Sequence, residues 1–430
     1  MSVEAIGALI LIGSFLLLIL LRIPIAFALG FSSVITAIYL GIPLMQLVQS
    51  IVNGVNVFSL LAVPFFILAG ELMSQGGISD RLIALAKIFV GRFRGGLGQV
   101  NILTSTFFGG ISGSSAADTA SLGPVLIPMM KKEGFDTRTA TSITMASSVQ
   151  AILIPPSHNM IIFSLAAGGV SIGGLFLAGL IPGILLGLIL MVYTYIIAVK
   201  RKYPKSESPA GQTFKIISSA IWGLLTIVII LAGVVTGVFT ATESAAIATV
   251  WAFIVTFLIY RDIPLKQFGA ILRKALQTIS MVMILIATSN AFGWLLTYVR
   301  IPKLVSEAIL GATESKIAIM LLILFILLLL GMIMDMAAII LIATPIFLPI
   351  ATSIGVDPIH FGIIMMLTLG LGLVTPPVGV TLFIGSAISG EKIGALSKNM
   401  IPFYLLFLLA ILIVTFIPQV SLFLPDLLMK

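Results

Sequence analysis

The residues best equipped for chemistry lie in Phe107-Phe108-Gly109-Gly110-Ile111-Ser112-Gly113-Ser114-Ser115-Ala116-Ala117-Asp118-Thr119, where glycines and hydroxyls lead up to a carboxylate. A second carboxylate stands in Gly331-Met332-Ile333-Met334-Asp335-Met336-Ala337. Two proline pairs interrupt apolar stretches, in Ile154-Pro155-Pro156-Ser157-His158-Asn159 and in Thr375-Pro376-Pro377-Val378-Gly379. Consecutive prolines remove two backbone donors and push the preceding residue out of helical geometry, so each pair predicts a helix broken mid-way. Oxygen-rich tips and unwound carbonyls suit a hard cation such as sodium, and the N-termini of broken helices suit a carboxylate.

The expected sodium ligands are therefore Ser112, Ser114 and Asp118 with the backbone around Ser147 and Gln150, and Asp335 with the backbone at Gly331, Gly370, Gly372 and Thr375. An organic anion is expected against Ser114, Ser115, Pro156, Ser157, Asn159, Asp335, Thr375, Pro377 and Gly379. Small residues such as Ser115 and Thr119 have the alternative of close helix packing. A carboxylate inside an apolar span is costly without a cation or polar partner, which makes Asp118 and Asp335 the strongest candidates. Glu71 reads either as an interface anchor or as functional, and His158 as a packed, hydrogen-bonded residue. With no cysteine and only His158 and His360, a transition-metal centre is not expected.

These groups must be held by a membrane fold. Hydrophobic residues make up 60% of the 430 and charged residues only 9%, and mean hydropathy is +1.25. That composition excludes a soluble globular chain and predicts an all-α polytopic membrane protein. The net charge of +8 comes from basic residues in short loops between apolar runs, the pattern that orients membrane proteins. No basic patch with interleaved aromatics points to nucleic acid. The first apolar run, from Val3 to Leu21, lacks a basic leader and a small-residue cleavage site and reads as a retained helix.

Further apolar runs cover residues 23–40 and 57–74. Between them Leu44, Leu47, Val48, Ile51 and Val55 form an amphipathic stripe suited to the membrane interface. A second stripe at residues 78–92 sets Ile78, Leu82, Leu85, Ala86 and Phe89 against Asp80, Arg81 and Lys87. The Gly/Ser motif sits within 96–131, flanked by basic residues at both ends, as expected of a re-entrant hairpin. A broken crossing follows at 136–169, then a closing helix at 172–199 and a cytoplasmic linker at 206–215.

The pattern then restarts at a constant offset of 221 residues: Pro43, Pro124, Pro128, Pro155 and Pro156 coincide with Pro264, Pro345, Pro349, Pro376 and Pro377, and Gly134-x-Asp136 with Gly355-x-Asp357. Five coincidences among 20 prolines in 430 residues mark an internal repeat. The halves are 1–205, with scaffold helices to residue 95, and 216–430, with scaffold helices at 216–314, a hairpin at 315–352, a broken helix at 358–389 and a closing helix at 399–417. An odd number of crossings per half predicts inverted topology. With both termini periplasmic, all of the 23 basic residues except Arg300, Lys303, Lys316 and Lys430 fall on the cytoplasmic side. The loop at Arg22 is basic and its counterpart near Glu243 acidic, in keeping with opposite faces; Glu243 also reads as a helix-start carboxylate behind Thr242.

The motifs Phe108-Gly109-Gly110-Ile111-Ser112-Gly113-Ser114-Ser115-Ala116-Ala117-Asp118, Leu126-Ile127-Pro128, Ile154-Pro155-Pro156-Ser157, Leu177-Ala178-Gly179-Leu180-Ile181-Pro182-Gly183 and Thr375-Pro376-Pro377-Val378-Gly379 together resemble the large membrane subunit of the tripartite ATP-independent periplasmic (TRAP) transporters. The resemblance runs the whole length. It implies a sodium-driven importer of organic acids in a bacterial inner membrane, in which a transport domain of both hairpins and both broken helices slides against the scaffold as an elevator. It also implies two partners, a four-helix small membrane subunit, which this chain is expected to obtain separately, and a soluble periplasmic binding protein. Ala241 stands where the family commonly has proline. The polar Ser157-His158-Asn159-Met160 resembles the sialic-acid branch more than the dicarboxylate branch.

Two alternatives are compatible with the residues. One is a stand-alone carboxylate or oxyanion carrier of the same broad superfamily. The other is an intramembrane hydrolase, for which Ser157 beside His158 is the only hint, and adjacency in sequence does not make a triad.

Overall fold

Inside hydrocarbon every backbone N–H and C=O must be satisfied within the chain, and an apolar sequence does this by forming helices. The computed structural model describes residues 3–206 and 213–429, and among these the secondary structure is helical apart from one isolated bridge between Arg94 and Lys205. The predicted linker lies largely outside the described residues.

The first half comprises α1 (Val3–Leu20), α2 (Ile25–Tyr39), α3 (Leu44–Val55), α4 (Ala62–Gln75), α5 (Ile78–Val90), α6 (Gly96–Ser112), α7 (Ser115–Lys132), α8 (Thr137–Ser148), α9 (Gln150–Leu153), α10 (His158–Ala166) and α11 (Ile172–Lys200). The second comprises α12 (Thr213–Val235), α13 (Ala241–Ile254), α14 (Phe268–Tyr298), α15 (Ile301–Ala312), α16 (Lys316–Gly331), α17 (Met336–Ser353), α18 (Pro358–Leu373), α19 (Val380–Ser389), α20 (Ile393–Phe416) and α21 (Gln419–Leu428). Among the described residues eight helices are long and apolar enough to cross a membrane, and the pair 137–153 with His158–Ala166, bent by 49°, makes a ninth. The protein is an all-α polytopic membrane protein.

Local chemistry sets the helix ends. Ser114, Asp136, Ser171, Thr240, Ser315, Asp335 and Asp357 each accept a bond from a backbone N–H in the first turn of the helix that follows. Gly113 carries φ +60°, and a Cβ there would lie 2.6 Å from the Pro156 carbonyl, so the turn between α6 and α7 needs glycine on both counts. Asp136 also pairs with Arg201. Partial burial raises its carboxyl, but the Thr139 N–H and hydroxyl and the Arg201 guanidinium outweigh that and hold it below its ordinary value.

Three expectations shift. The cap of α13 is Thr240, not Thr242, and Glu243 closes a capping box on it; the Thr242 hydroxyl instead donates to the Phe58 carbonyl at 3.3 Å. On α5 the stripe buries Ile78, Leu82, Leu85 and Ala86 but leaves Phe89 exposed. The closing helix of the second half starts at Ile393 rather than 399, because its first turn is too polar for an apolar-run criterion to include.

Packing joins the two halves. Thr242, Thr249 and Thr256, spaced by sevens, donate to the carbonyls of Phe58, Phe65 and Leu72 at 3.3, 2.9 and 3.1 Å, locking α13 and the π turn after it along α4 and the 3-10 turn that precedes it. Helix α14 packs on α2, α3 and α4. Deeper in, α7 packs on α8 and α19, α16 on α18, and α10 on α17, so each hairpin leans on a broken helix.

Candidate functional site

Where the two hairpin tips meet α4 and α14, the chain encloses a cavity of about 450 Å³, within the range of small-molecule sites. Ser112, Ser114 and Ser115 of the first tip line it with Asp335, Met336 and Ala337 of the second. His158 and Asn159 follow the first break, and Leu373 precedes the second. The remaining wall comes from Glu71 and Ser74 of α4 and Lys274, Thr278 and Val282 of α14.

Asp118 lies behind this cavity, fully buried. Its Oδ1 accepts from the Ser105 hydroxyl at 3.0 Å, and that hydroxyl also lies 3.0 Å from Ser147 Oγ. Ser147 in turn lies 3.2 Å from Asn101 Oδ1, and Asn101 Nδ2 donates to Thr144 Oγ1 at 2.6 Å. Helices α6, α7 and α8 thus meet in one buried network of hydroxyls and an amide. Within the described residues Asp118 Oδ2 has no hydrogen-bond partner, and neither do the buried hydroxyls of Ser112, Thr119 and Ser157. Gln150 closes the network from the side of the break, accepting from Thr106 at 2.7 Å and donating to the Ser147 carbonyl at 3.2 Å.

Asp335 is placed differently. It caps α17, its Oδ1 accepting from the Ala337 N–H at 3.0 Å, and it is directly on the cavity wall. Ser114, its counterpart in the first half, caps α7 through Ala117 at 3.4 Å. Ser115 links the halves: its hydroxyl lies 2.7 Å from Ser148 Oγ and 3.0 Å from Thr381 Oγ1 of α19.

Of the residues singled out in the sequence, Ser112, Ser114, Ser115, Asn159 and Asp335 line the cavity, while Asp118, Ser147 and Gln150 form the network behind it. The others serve the breaks. Ser157 precedes α10, and the carbonyl of Pro156 closes on Gly113. Gly372 faces Gly331 so closely that a Cβ would lie 2.5 Å from the Gly331 carbonyl carbon. A Cβ on Gly370 would reach Val149 of the first broken crossing at 2.7 Å. Thr375 donates to the Leu371 carbonyl at 2.6 Å, a Cβ on Gly379 would meet the Thr375 carbonyl at 2.7 Å, and Pro377 is exposed.

Sequence reasoning missed Asn101, Ser105 and Thr144, although the one-turn spacing of Asn101 and Ser105, with Gln99 and Thr104 beside them, on a helix meant for an apolar environment was a usable signal. It counted Lys274 only as a cytoplasmic charge. In the structure Lys274 Nζ reaches Glu71 Oε1 at 2.6 Å across the cavity wall.

Residues 12–420 match the family described as tripartite ATP-independent periplasmic transporter, DctM component. The chain is 40% identical to the C4-dicarboxylate TRAP transporter large permease protein of Pseudomonas aeruginosa, covering 86% of both chains. It is 36% identical to the sialic acid TRAP transporter large permease protein of Vibrio cholerae, covering 88% of this chain and 89% of that one. The fold is also similar to the crystal structure of the Alcanivorax borkumensis YdaH transporter, with a TM-score of 0.62 and 17% identity over 87% of each chain. A match that spans both hairpins and both broken helices, with relatives that are permease subunits and not enzymes, settles the class: the chain belongs to the DctM component family, the large permease subunits of tripartite ATP-independent periplasmic transporters.

Proposed function

We propose that the chain is the large membrane subunit of a sodium-coupled importer of an organic acid in a bacterial inner membrane. The observation that carries this reading is Asp118, a fully buried carboxylate with one oxygen bonded to Ser105 and the other without a partner among the described residues. A buried carboxylate is stable only when a cation or further donors meet it. The hydroxyls of Ser105 and Ser147 and the Asn101 amide oxygen lie in the same network, oxygen ligands of the kind that suit a hard cation, and among the described residues no cluster of three or more His, Asp or Glu offers a transition-metal site. Asp118 with the neighbouring hydroxyls would hold the ion, and the ion's charge would in turn favour an anion in the cavity beside it.

An elevator movement fits the packing. Both hairpins lean on broken helices, and α4, which carries α13 and α14 packed on it, meets the first hairpin at α6 while α14 meets the second at α17, the contacts along which such a movement would slide. In this reading the two halves are inverted copies, both termini are periplasmic, a small membrane subunit joins the scaffold, and a periplasmic binding protein delivers the solute. Relatives with C4-dicarboxylate and sialic-acid names are of similar identity to the chain, so the substrate class proposed at this level is an organic acid.

The test is uptake by proteoliposomes containing the large and small subunits, supplied with the cognate binding protein. An inward sodium gradient should drive accumulation of succinate or sialic acid; equal uptake with potassium in place of sodium would overturn the proposal. Transport by the large subunit alone would favour the stand-alone carrier.

A further inference from the structure

Among the described residues that line the cavity, Lys274 is the single lysine or arginine, while two carboxylates also line it, Glu71 beside Lys274 on the α4–α14 wall and Asp335 at the second hairpin tip. An organic anion entering this space meets one fixed cation. That cation belongs to α14, which packs on α2, α3 and α4 and also on α17 of the second hairpin. Its ammonium lies 2.6 Å from Glu71 Oε1, and the same oxygen accepts from Gln75 Nε2 at 2.5 Å. The pair is lopsided in exposure: the Lys274 side chain is 61% accessible and that of Glu71 only 17%. Gln75 and burial hold Glu71 in place, whereas Lys274 is the free arm of the pair.

A lysine ammonium has three donors, so one contact to Glu71 leaves two for a second acceptor. We infer that Lys274 is a specificity-determining residue that donates to an anionic group of the transported solute, and that Glu71 positions the ammonium and competes for it. The inference rests on the transport reading above and deepens it. The cavity then offers two kinds of anion contact: the hydroxyl-rich first hairpin tip, with Ser114 and Ser115, and the ammonium on the α4–α14 wall. A short solute with a carboxylate at each end uses both, whereas a solute with a single carboxylate leaves one unused. The competition has a kinetic consequence. With the Glu71 carboxyl group in place, the solute shares the ammonium and leaves readily; without it, the solute is held more tightly and released more slowly.

The experiment measures sodium-driven uptake of succinate and of sialic acid by the complete reconstituted transporter, with KM and kcat separated for each. Lys274→Gln should raise KM for succinate about tenfold, the loss of one charge-assisted hydrogen bond, and should raise KM for sialic acid less. Lys274→Arg should recover most of the affinity. Glu71→Gln should lower both KM and kcat for succinate, a paired change that loss of a purely structural ion pair does not give. Lys303→Gln, at an exposed pair with Glu307, serves as the unaffected control. A folded Lys274→Gln protein with unchanged KM for succinate would overturn the inference, as would a wild-type protein that accumulates sialic acid and not succinate. If Lys274→Gln fails to assemble, Glu71→Gln decides alone, and unchanged constants there overturn it. Absence of any sodium-driven uptake by the wild type would instead remove the transport reading itself.

Discussion

The two hairpins are built on one backbone plan and carry different chemistry. In each, the first helix ends near a polar residue that caps the second, Ser114 in α7 and Asp335 in α17, and each second helix contains two prolines at matching positions. Helix α6 nevertheless buries Gln99, Asn101, Thr104 and Ser105, whereas α16 is apolar from Ile317 to Leu330. The first hairpin therefore encloses a carboxylate inside a polar network, and the second presents its carboxylate at the tip, on the cavity. A repeat can keep its capping and turn geometry, which depend on single residues, while its buried polar groups concentrate in one copy. Buried polar groups are costly unless they meet partners, so gathering them in one copy lets Ser105, Ser147, Asn101 and Thr144 satisfy one another.

The sharpest way to break this comparison is at Asp118. Asp118→Ala should lower apparent sodium affinity about tenfold to a hundredfold, since a hydrogen bond or ion contact to a charged group contributes roughly 1.5–3 kcal/mol. Uptake measured against sodium concentration checks it, and an unchanged sodium dependence would leave the buried carboxylate without the role proposed for it. Next in size is Gly372→Ala. The new Cβ would press on the Gly331 backbone, and overpacking of this kind costs about 1–3 kcal/mol. A lowered melting temperature of the detergent-solubilised complex is expected, and no change would show that α16 and α18 can separate freely.

Asp335 separates capping from charge. Asp335→Ala should cost about 1 kcal/mol of stability through the lost cap, while Asp335→Ser, which copies the first half, should cost only a few tenths. Equal loss of transport in both variants, despite unequal stability, would assign the role to the charge; full activity in Asp335→Ser would assign it to the cap.

The smallest effect concerns Asp136 and its counterpart Asp357. Both cap a broken helix, so alanine at either should cost about 1 kcal/mol. Only Asp136 adds a pairing with Arg201, and its folded-state carboxyl sits below the ordinary value. Stability from such a group is fully present above the unfolded-state value, about 3.9, and is lost as pH falls through the lower folded-state value. Asp136→Asn, which keeps the cap, should therefore be slightly less stable than wild type near neutrality and equal to it in strong acid. Melting curves across pH test this, and a gap that persists in acid would contradict it.

Helix ends, the glycine turn at Gly113 and both breaks were legible in the sequence because each depends on a few adjacent residues. The same holds for the membrane class, which composition alone dictates. At α13 the sequence reading placed Glu243 at the helix start but did not use the Thr240-x-x-Glu243 capping-box spacing, which identifies Thr240 as the cap locally. The role of Lys274 was not legible. A lysine near a helix start reads as an orienting charge until the partner helix is known, and that partner, Glu71, belongs to the other half of the chain.

The sequence by itself determined most of the helices, many of their ends, the repeat offset and the presence of one carboxylate in each hairpin, because hydropathy, capping and proline chemistry act over one or two turns. The tertiary structure decided that Asp118 is enclosed and Asp335 open to the cavity, that Gly331 abuts Gly372, and that Lys274 and Glu71 complete the wall. Those facts depend on which helix faces which across long stretches of chain. In an almost uniformly apolar sequence the pattern that would specify such facing is weak, since a helix hydrophobic all round has no polar side to orient it.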